Sequence, residues 1–144
     1  MRFFASFLAF FHPARPVEPE PLDIPRLIRA IKAVENWDGH SIGQAGERGP
    51  MQFTAATWYK FSRKPHRWCQ WKHEFAIKER ERVEPLYIAE LIKEATTMSR
   101  KPTPWVIAAL HCAGAMAVGT GHIPAMKKDF SQRVENVYYD KPAP

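Results

Sequence analysis

"AVENWDGHSIGQAGERGPMQFTAATW", residues 33–58, takes the chain from a greasy helix that ends on a carboxylate, Glu35, into a run rich in glycine and polar residues. Met51, Gln52 and Phe53 follow, and Thr54 stands ready to cap a new helix. The helix leading into this stretch is legible just upstream. Asp23 can cap it, and Pro25 falls in its first turn, where a missing N–H costs nothing. Ile24, Leu27, Ile28, Ile31 and Val34 recur at helical spacing. At about 100° per residue, Glu35 lies near the middle of that apolar arc, beside Ile28 and Ile31. The acid stands on an apolar face, just ahead of a turn able to fold back over it.

The rest of the chain is mainly helical. Thr54 opens "AATWYKFS", and a charged helix is expected from about Trp71 to Arg82. Pro85 is expected to open a separate helix, "LYIAELIKEATTM". Thr103 and Pro104 start "WVIAALHCAGAMAVG", apolar all round and so expected at the centre of the fold. Pro124 starts the last helix, with Met126, Phe130, Val134, Val137 and Tyr138 as its apolar stripe. Strand signals are few, at most a small β-ribbon around Ser41 to Phe53. The class is mainly α, with no internal repeat.

A chain of 144 residues, 45% hydrophobic and 25% charged, suits one soluble domain able to bury a core without staples. Its net charge of +6 favours anionic partners: nucleic acid, an anionic membrane surface or an acidic wall polymer. Two cysteines, Cys69 and Cys112, are too few for a disulfide framework, although one bridge is open to them. Arg2 precedes an apolar stretch from Phe3 to Phe11, too short to span a bilayer but similar to a short signal sequence. The alternative is an apolar start that packs on the domain. Four prolines between residues 13 and 21 read as a linker. The expected organisation is residues 1–22 as export signal and linker, 23–140 as the domain and 141–144 as a tail. That predicts an exported protein of the periplasm or envelope, without a transmembrane span, acting as a monomer.

A carboxyl group on an apolar face resists ionisation, because desolvation penalises its charged form. That suits a general acid working near neutral pH. The competing reading has Glu35 at a frayed helix end, facing water or paired with Arg29 or Lys32. The turn beyond it adds Gly43, Gly46 and Gly49 for unusual backbone shapes, Ser41 for local hydrogen bonds, and Gln52 with both a donor and an acceptor. Amide and hydroxyl partners beside an acid are what a sugar site needs. A plain glycine-rich hairpin with Met51 and Phe53 in the core is the bland alternative.

"AVEN", Ser41 and "GERGPMQFTAATW" together resemble the catalytic stretch of the soluble lytic transglycosylase family of the lysozyme-like superfamily. "WVIAALHCAGAMAVGTGHIPAMKKDFSQRVENVYYD" is similar to that family's Ala-rich helix, Gly-rich turn and final helix, the last pattern held by Phe130, Arg133, Val134 and Tyr138. The likeness covers about Pro25 to Tyr139, with three motifs in order. It implies a lysozyme-like fold in which Glu35 is the sole catalytic acid and base. Ser41 would brace its surroundings, Met51 and Gln52 would line the glycan groove, and Tyr138 would approach Glu35 and help hold its proton. The implied reaction cleaves the β-1,4 bond between N-acetylmuramic acid and N-acetylglucosamine in peptidoglycan, leaving a 1,6-anhydro end, with no metal or cofactor. The sequence departs from the family in four places. His111-Cys112 replaces Tyr-Asn, so His111 stands for the aromatic ring against the glycan. Asn36 replaces Ser, Pro50 replaces Leu, and Tyr87 sits where relatives often carry Asn or His.

Two rival functions stand beside this reading. One is a glycan-binding or structural relative whose active groups are lost at His111 and Cys112. The other is a muramidase-type hydrolase in which Asp38 or Glu47 directs water, since glycosidases of the standard kind use two carboxylates. "KFSRKPHRWCQWKH" interleaves basic residues with Trp58, Trp68 and Trp71, a pattern that can hold single-stranded nucleic acid. The preferred reading gives this segment to the edge of an anionic-glycan groove, and no nucleic-acid partner is expected. His66, Cys69 and His73 have metal-like spacing without the clean pairs of a structural zinc site.

Overall fold

The computed structural model describes residues 20–141, so the apolar start from Phe3 to Phe11 lies outside them, as do most of the linker and tail. Five α-helices follow in order: α1 (Ile24–Glu35), α2 (Ala55–Phe61), α3 (Glu74–Thr97), α4 (Pro104–Thr120) and α5 (Ala125–Tyr138). A short 3₁₀ turn, His66–Cys69, precedes α3. The chain is mainly α, as its apolar spacing requires.

The helix starts follow capping chemistry. Asp23, Thr54 and Thr103 each accept a backbone N–H from the third residue of the helix they open. His73 does the same for α3 through Nδ1, 3.1 Å from the nitrogen of Ala76. Asn36 ends α1 in the left-handed conformation, φ +46°, and donates its N–H to the carbonyl of Lys32.

The apolar helix α4 lies at the centre, with α5 and α3 packed on it, and α1 packs on α5 and α3. Leu27 and Ile31 of α1, Val83 and Ile88 of α3, Ile107 and Ala108 of α4 and Val134 of α5 share one core. Met51, Phe53 and Trp58 close it from the side of the turn. The core fixes α1 on α5 and α3, which both pack on α4, and so decides what faces Glu35. At the other end of α1, the Tyr138 hydroxyl accepts the N–H of Asp23 at 2.9 Å, tying α5 to the helix start. Lys32 reaches Glu84 of α3 at 2.6 Å, and burial raises the pKa of the Glu84 carboxyl despite that partner.

Three expectations are corrected. Among the described residues there is no strand: one antiparallel bridge, Arg48 to Phe53, stands where a ribbon was expected. Two residues pairing once across a tight turn leave no ladder to extend. Pro85 does not open a helix but lies inside α3, which runs unbroken over 24 residues. An interior proline costs about 3 kcal/mol, and burial of Val83, Ile88, Leu91 and Ala95 along the same helix offsets it. The stripe on α5 is also rotated. Met126 is 82% exposed and Val137 42%, while Phe130, Ser131, Val134 and Tyr138 form the packed face.

The turn after α1 is held by close backbone contact. Gly49, φ +75°, lies against the Cys69 carbonyl. Burial pushes the Cys69 thiol up to about 12, against the pull of Arg80. Both cysteines are free thiols. A fully buried thiol that stays protonated is a poor nucleophile. Iodoacetamide at pH 8 should therefore leave Cys69 unmodified in the native protein and label it once urea unfolds the chain. Peptide mass spectrometry checks this, and labelling of native Cys69 as fast as Cys112 would contradict its burial.

Candidate active site

Glu35 is the last residue of α1, so its side chain leaves the helix just where the chain turns away. It is not lost to solvent: its side chain is 20% exposed, and Oε1 lies 3.1 Å from Nε2 of His111. His111 comes from α4, its side chain 5% exposed and its ring tilted against Phe130 at 5.9 Å. Its Nδ1 lies 3.0 Å from the hydroxyl of Tyr87 on α3. Tyr87 is wedged edge-on to Phe53 at 5.1 Å, and burial lifts its phenol above the ordinary range. Three helices thus supply one hydrogen-bonded row, Tyr87–His111–Glu35. It is fixed at the base by core packing.

Glu35 opens onto a cavity of about 390 Å³. Gly43, Glu47 and Gln52 wall it on the turn side, Thr54 and Thr57 add hydroxyls, and Lys127 adds a cation. Gln52 holds φ +46°, rare for a side-chain-bearing residue, and its amide nitrogen donates to the Gly49 carbonyl at 2.7 Å. A strained backbone at a polar cleft is a common mark of a functional site. The cavity adjoins two others. One, of about 530 Å³, shares Glu35, Cys112 and Lys127 and extends to Phe130 and Arg133. The second, of about 300 Å³, shares Thr57, Tyr87 and His111 and extends to Glu90 and Glu94. Glu35 therefore stands within an extended groove rather than at a closed pocket.

The structure brings Glu35, Gln52 and His111 together, with Glu47 in the same cleft, and puts Ser41, Met51, Tyr138 and Asp38 elsewhere. Met51 is buried in the core, 1% exposed, because the turn points it inward beside Phe53. Ser41 is exposed and spends its hydroxyl and N–H on Asp38. Tyr138 binds the N-terminal end of α1, about 18 Å along the helix from Glu35 at 1.5 Å per residue. Asp38 accepts from the Ser41 hydroxyl and from the backbone of Ser41 and His40, bonds that hold its carboxyl far below the usual range. It lines no part of the cleft, whereas Glu47 does. The hydroxyl of Thr57 and the ammonium of Lys127 went unforeseen. Thr57 stands one turn after the cap Thr54, and Lys127 one turn before Phe130, so helical spacing sets each beside a residue that the structure places on the groove.

The basic aromatic segment stands apart from Glu35. Trp58 is fully buried and donates its Nε1–H to the Lys64 carbonyl at 2.7 Å. Trp68 and Trp71 stack with centroids 6.4 Å apart, Lys64 and Arg67 lie over their faces, and neither ring lines the cleft. His66 donates to the Phe53 carbonyl, and His73 caps α3, so both serve the fold. Among the described residues no group of three or more His, Cys, Asp and Glu is placed to hold a metal ion. Nor is any single helix among them long and apolar enough to cross a membrane.

No family model matches this chain, and no curated protein or solved structure matches it. The case for a function rests on the sequence motifs and the geometry of the groove.

Proposed function

We propose that the protein is an exported, lysozyme-like lytic transglycosylase that cleaves peptidoglycan with Glu35 as its acid and base. The observation that carries this reading is the placement of Glu35. It is a carboxyl anchored by a buried histidine and open to a groove with room on both sides, as an enzyme cutting within a polymer requires. Glu35 gives its proton to the leaving O4 of N-acetylglucosamine as the C1–O4 bond of N-acetylmuramic acid breaks. The C6 hydroxyl then closes on C1, and its proton returns to Glu35. No water is consumed, and the acid ends as it began. Lys127 and Arg133, which line one arm of the groove together with Asp129, suit the lactyl and peptide carboxylates of such a strand.

One observation favours hydrolysis as a second reading. Glu47 shares the cleft with Glu35, and a second carboxylate can direct water at C1. Its carboxylate already accepts the N–H of Ala45 at 2.8 Å, which ties it to the turn. Digestion of purified sacculi, with product ends identified by mass spectrometry, decides between them. Anhydro ends are the expected result. Reducing ends would install Glu47 as the partner of Glu35, and an absence of products would leave a glycan-binding protein.

A further inference from the structure

We infer that Tyr87 is a positioning residue that sets the tautomer of His111 and thereby decides which oxygen of Glu35 carries the acid proton. The inference rests on Glu35 being the acid. A neutral imidazole has one donor and one acceptor nitrogen, and the hydrogen bond at one fixes the role of the other. The Tyr87 hydroxyl lies 3.0 Å from Nδ1, the one hydrogen-bond partner it has among the described residues. Its hydrogen therefore goes to Nδ1, which must be the bare nitrogen. Nε2 then carries the ring hydrogen and donates it to Oε1 of Glu35 at 3.1 Å. With Oε1 held as an acceptor, the transferable proton belongs on Oε2.

The opposite arrangement is poorer. If Nδ1 carried the hydrogen and donated to Tyr87, the phenolic hydrogen would have no protein acceptor. Nε2 would then draw the Glu35 proton toward the ring and away from the sugar. An imidazolium has the same fault at Nδ1, since both nitrogens would donate. The groups that face His111 hold its ring in place: Tyr87 from α3, Phe130 from α5 and Glu35 from α1.

Long-range ¹H–¹⁵N correlation of the histidine rings tests the tautomer directly, with the His111 signals assigned by their loss in His111→Gln. The expected wild-type pattern is a protonated, pyrrole-like Nε2 and a bare, pyridine-like Nδ1. In Tyr87→Phe the pattern should move toward a mixture of tautomers. On sacculi the same variant should lose about tenfold in kcat at nearly unchanged KM, a part of the 10²–10⁴-fold typical of acid–base catalysis. A protonated Nδ1 in the wild type overturns the inference, as does an unchanged pattern in Tyr87→Phe. So does unaltered kcat in a Tyr87→Phe protein that cuts sacculi. The ring spectra need no substrate, so if the wild type cuts no wall polymer, only the proposed activity falls and the tautomer is still decided.

Discussion

Glu35→Gln should remove wall cleavage and leave the fold intact. The side-chain shape is unchanged, and the Gln carbonyl oxygen can still accept from Nε2–H of His111, so the row to Tyr87 survives. What is lost is the proton. General acid–base catalysis supplies typically about 10²–10⁴-fold, and in the anhydro route one carboxyl serves both bond cleavage and ring closure. The loss should therefore lie at the upper end of that range and appear in kcat rather than KM. Circular dichroism and the urea midpoint should match the wild type. Glu47→Gln is the companion variant: the anhydro route predicts activity within a few-fold of wild type, the hydrolytic route a loss comparable to that of Glu35→Gln. A folded Glu35→Gln protein with near-normal turnover would remove Glu35 from the chemistry altogether.

How far the sequence foretold this geometry depends on which force set each feature. Helical spacing and caps are local, and they foretold α1 from Asp23 to Glu35 with the acid on its packed side. The same logic failed at Pro85, where a local rule against interior proline gave way to burial along the whole of α3. It failed again on α5, since apolar residues alone do not fix the rotation of a helix: Ser131 is buried and Met126 is not. Ser131 takes that place because its hydroxyl bonds back to the Lys127 carbonyl, at 2.8 Å, and needs no other partner. At the site, Glu35, Gln52 and His111 were readable from motif order. The contact from Tyr87 to His111 spans 24 residues and two helices, and only the packing of α3 on α4 creates it. Tyr138 was expected beside Glu35 by resemblance, but its hydroxyl is already committed to Asp23.

Gly49→Ala should damage the protein more than any other single methyl added to the turn, and Gly46→Ala measures why. Both glycines hold a left-handed backbone, φ +75° at Gly49 and +79° at Gly46. An alanine there costs about 1–2 kcal/mol from conformation alone. At Gly46 nothing lies within 4 Å of the added carbon, so that cost should be nearly all of the effect. At Gly49 the added carbon meets the Cys69 carbonyl oxygen at 2.0 Å and its carbon at 2.6 Å. These are backbone atoms and cannot swing aside as a flexible side chain would. Either the turn or the 3₁₀ segment must move, and both are anchored by the buried Met51, Phe53 and Cys69. The total should reach about 3 kcal/mol or more, a large share of the 5–15 kcal/mol that holds a typical domain together. The Gly49 carbonyl also accepts both the backbone and the side-chain N–H of Gln52, so the displacement passes directly into the cleft. Urea unfolding should place Gly49→Ala well below Gly46→Ala, with wild-type protein above both. Residual folded Gly49→Ala should cut sacculi more slowly than Gly46→Ala does. Equal midpoints for the two variants would mean that the turn does not pack against Cys69 and that the wall of the groove around Gln52 is set by something else.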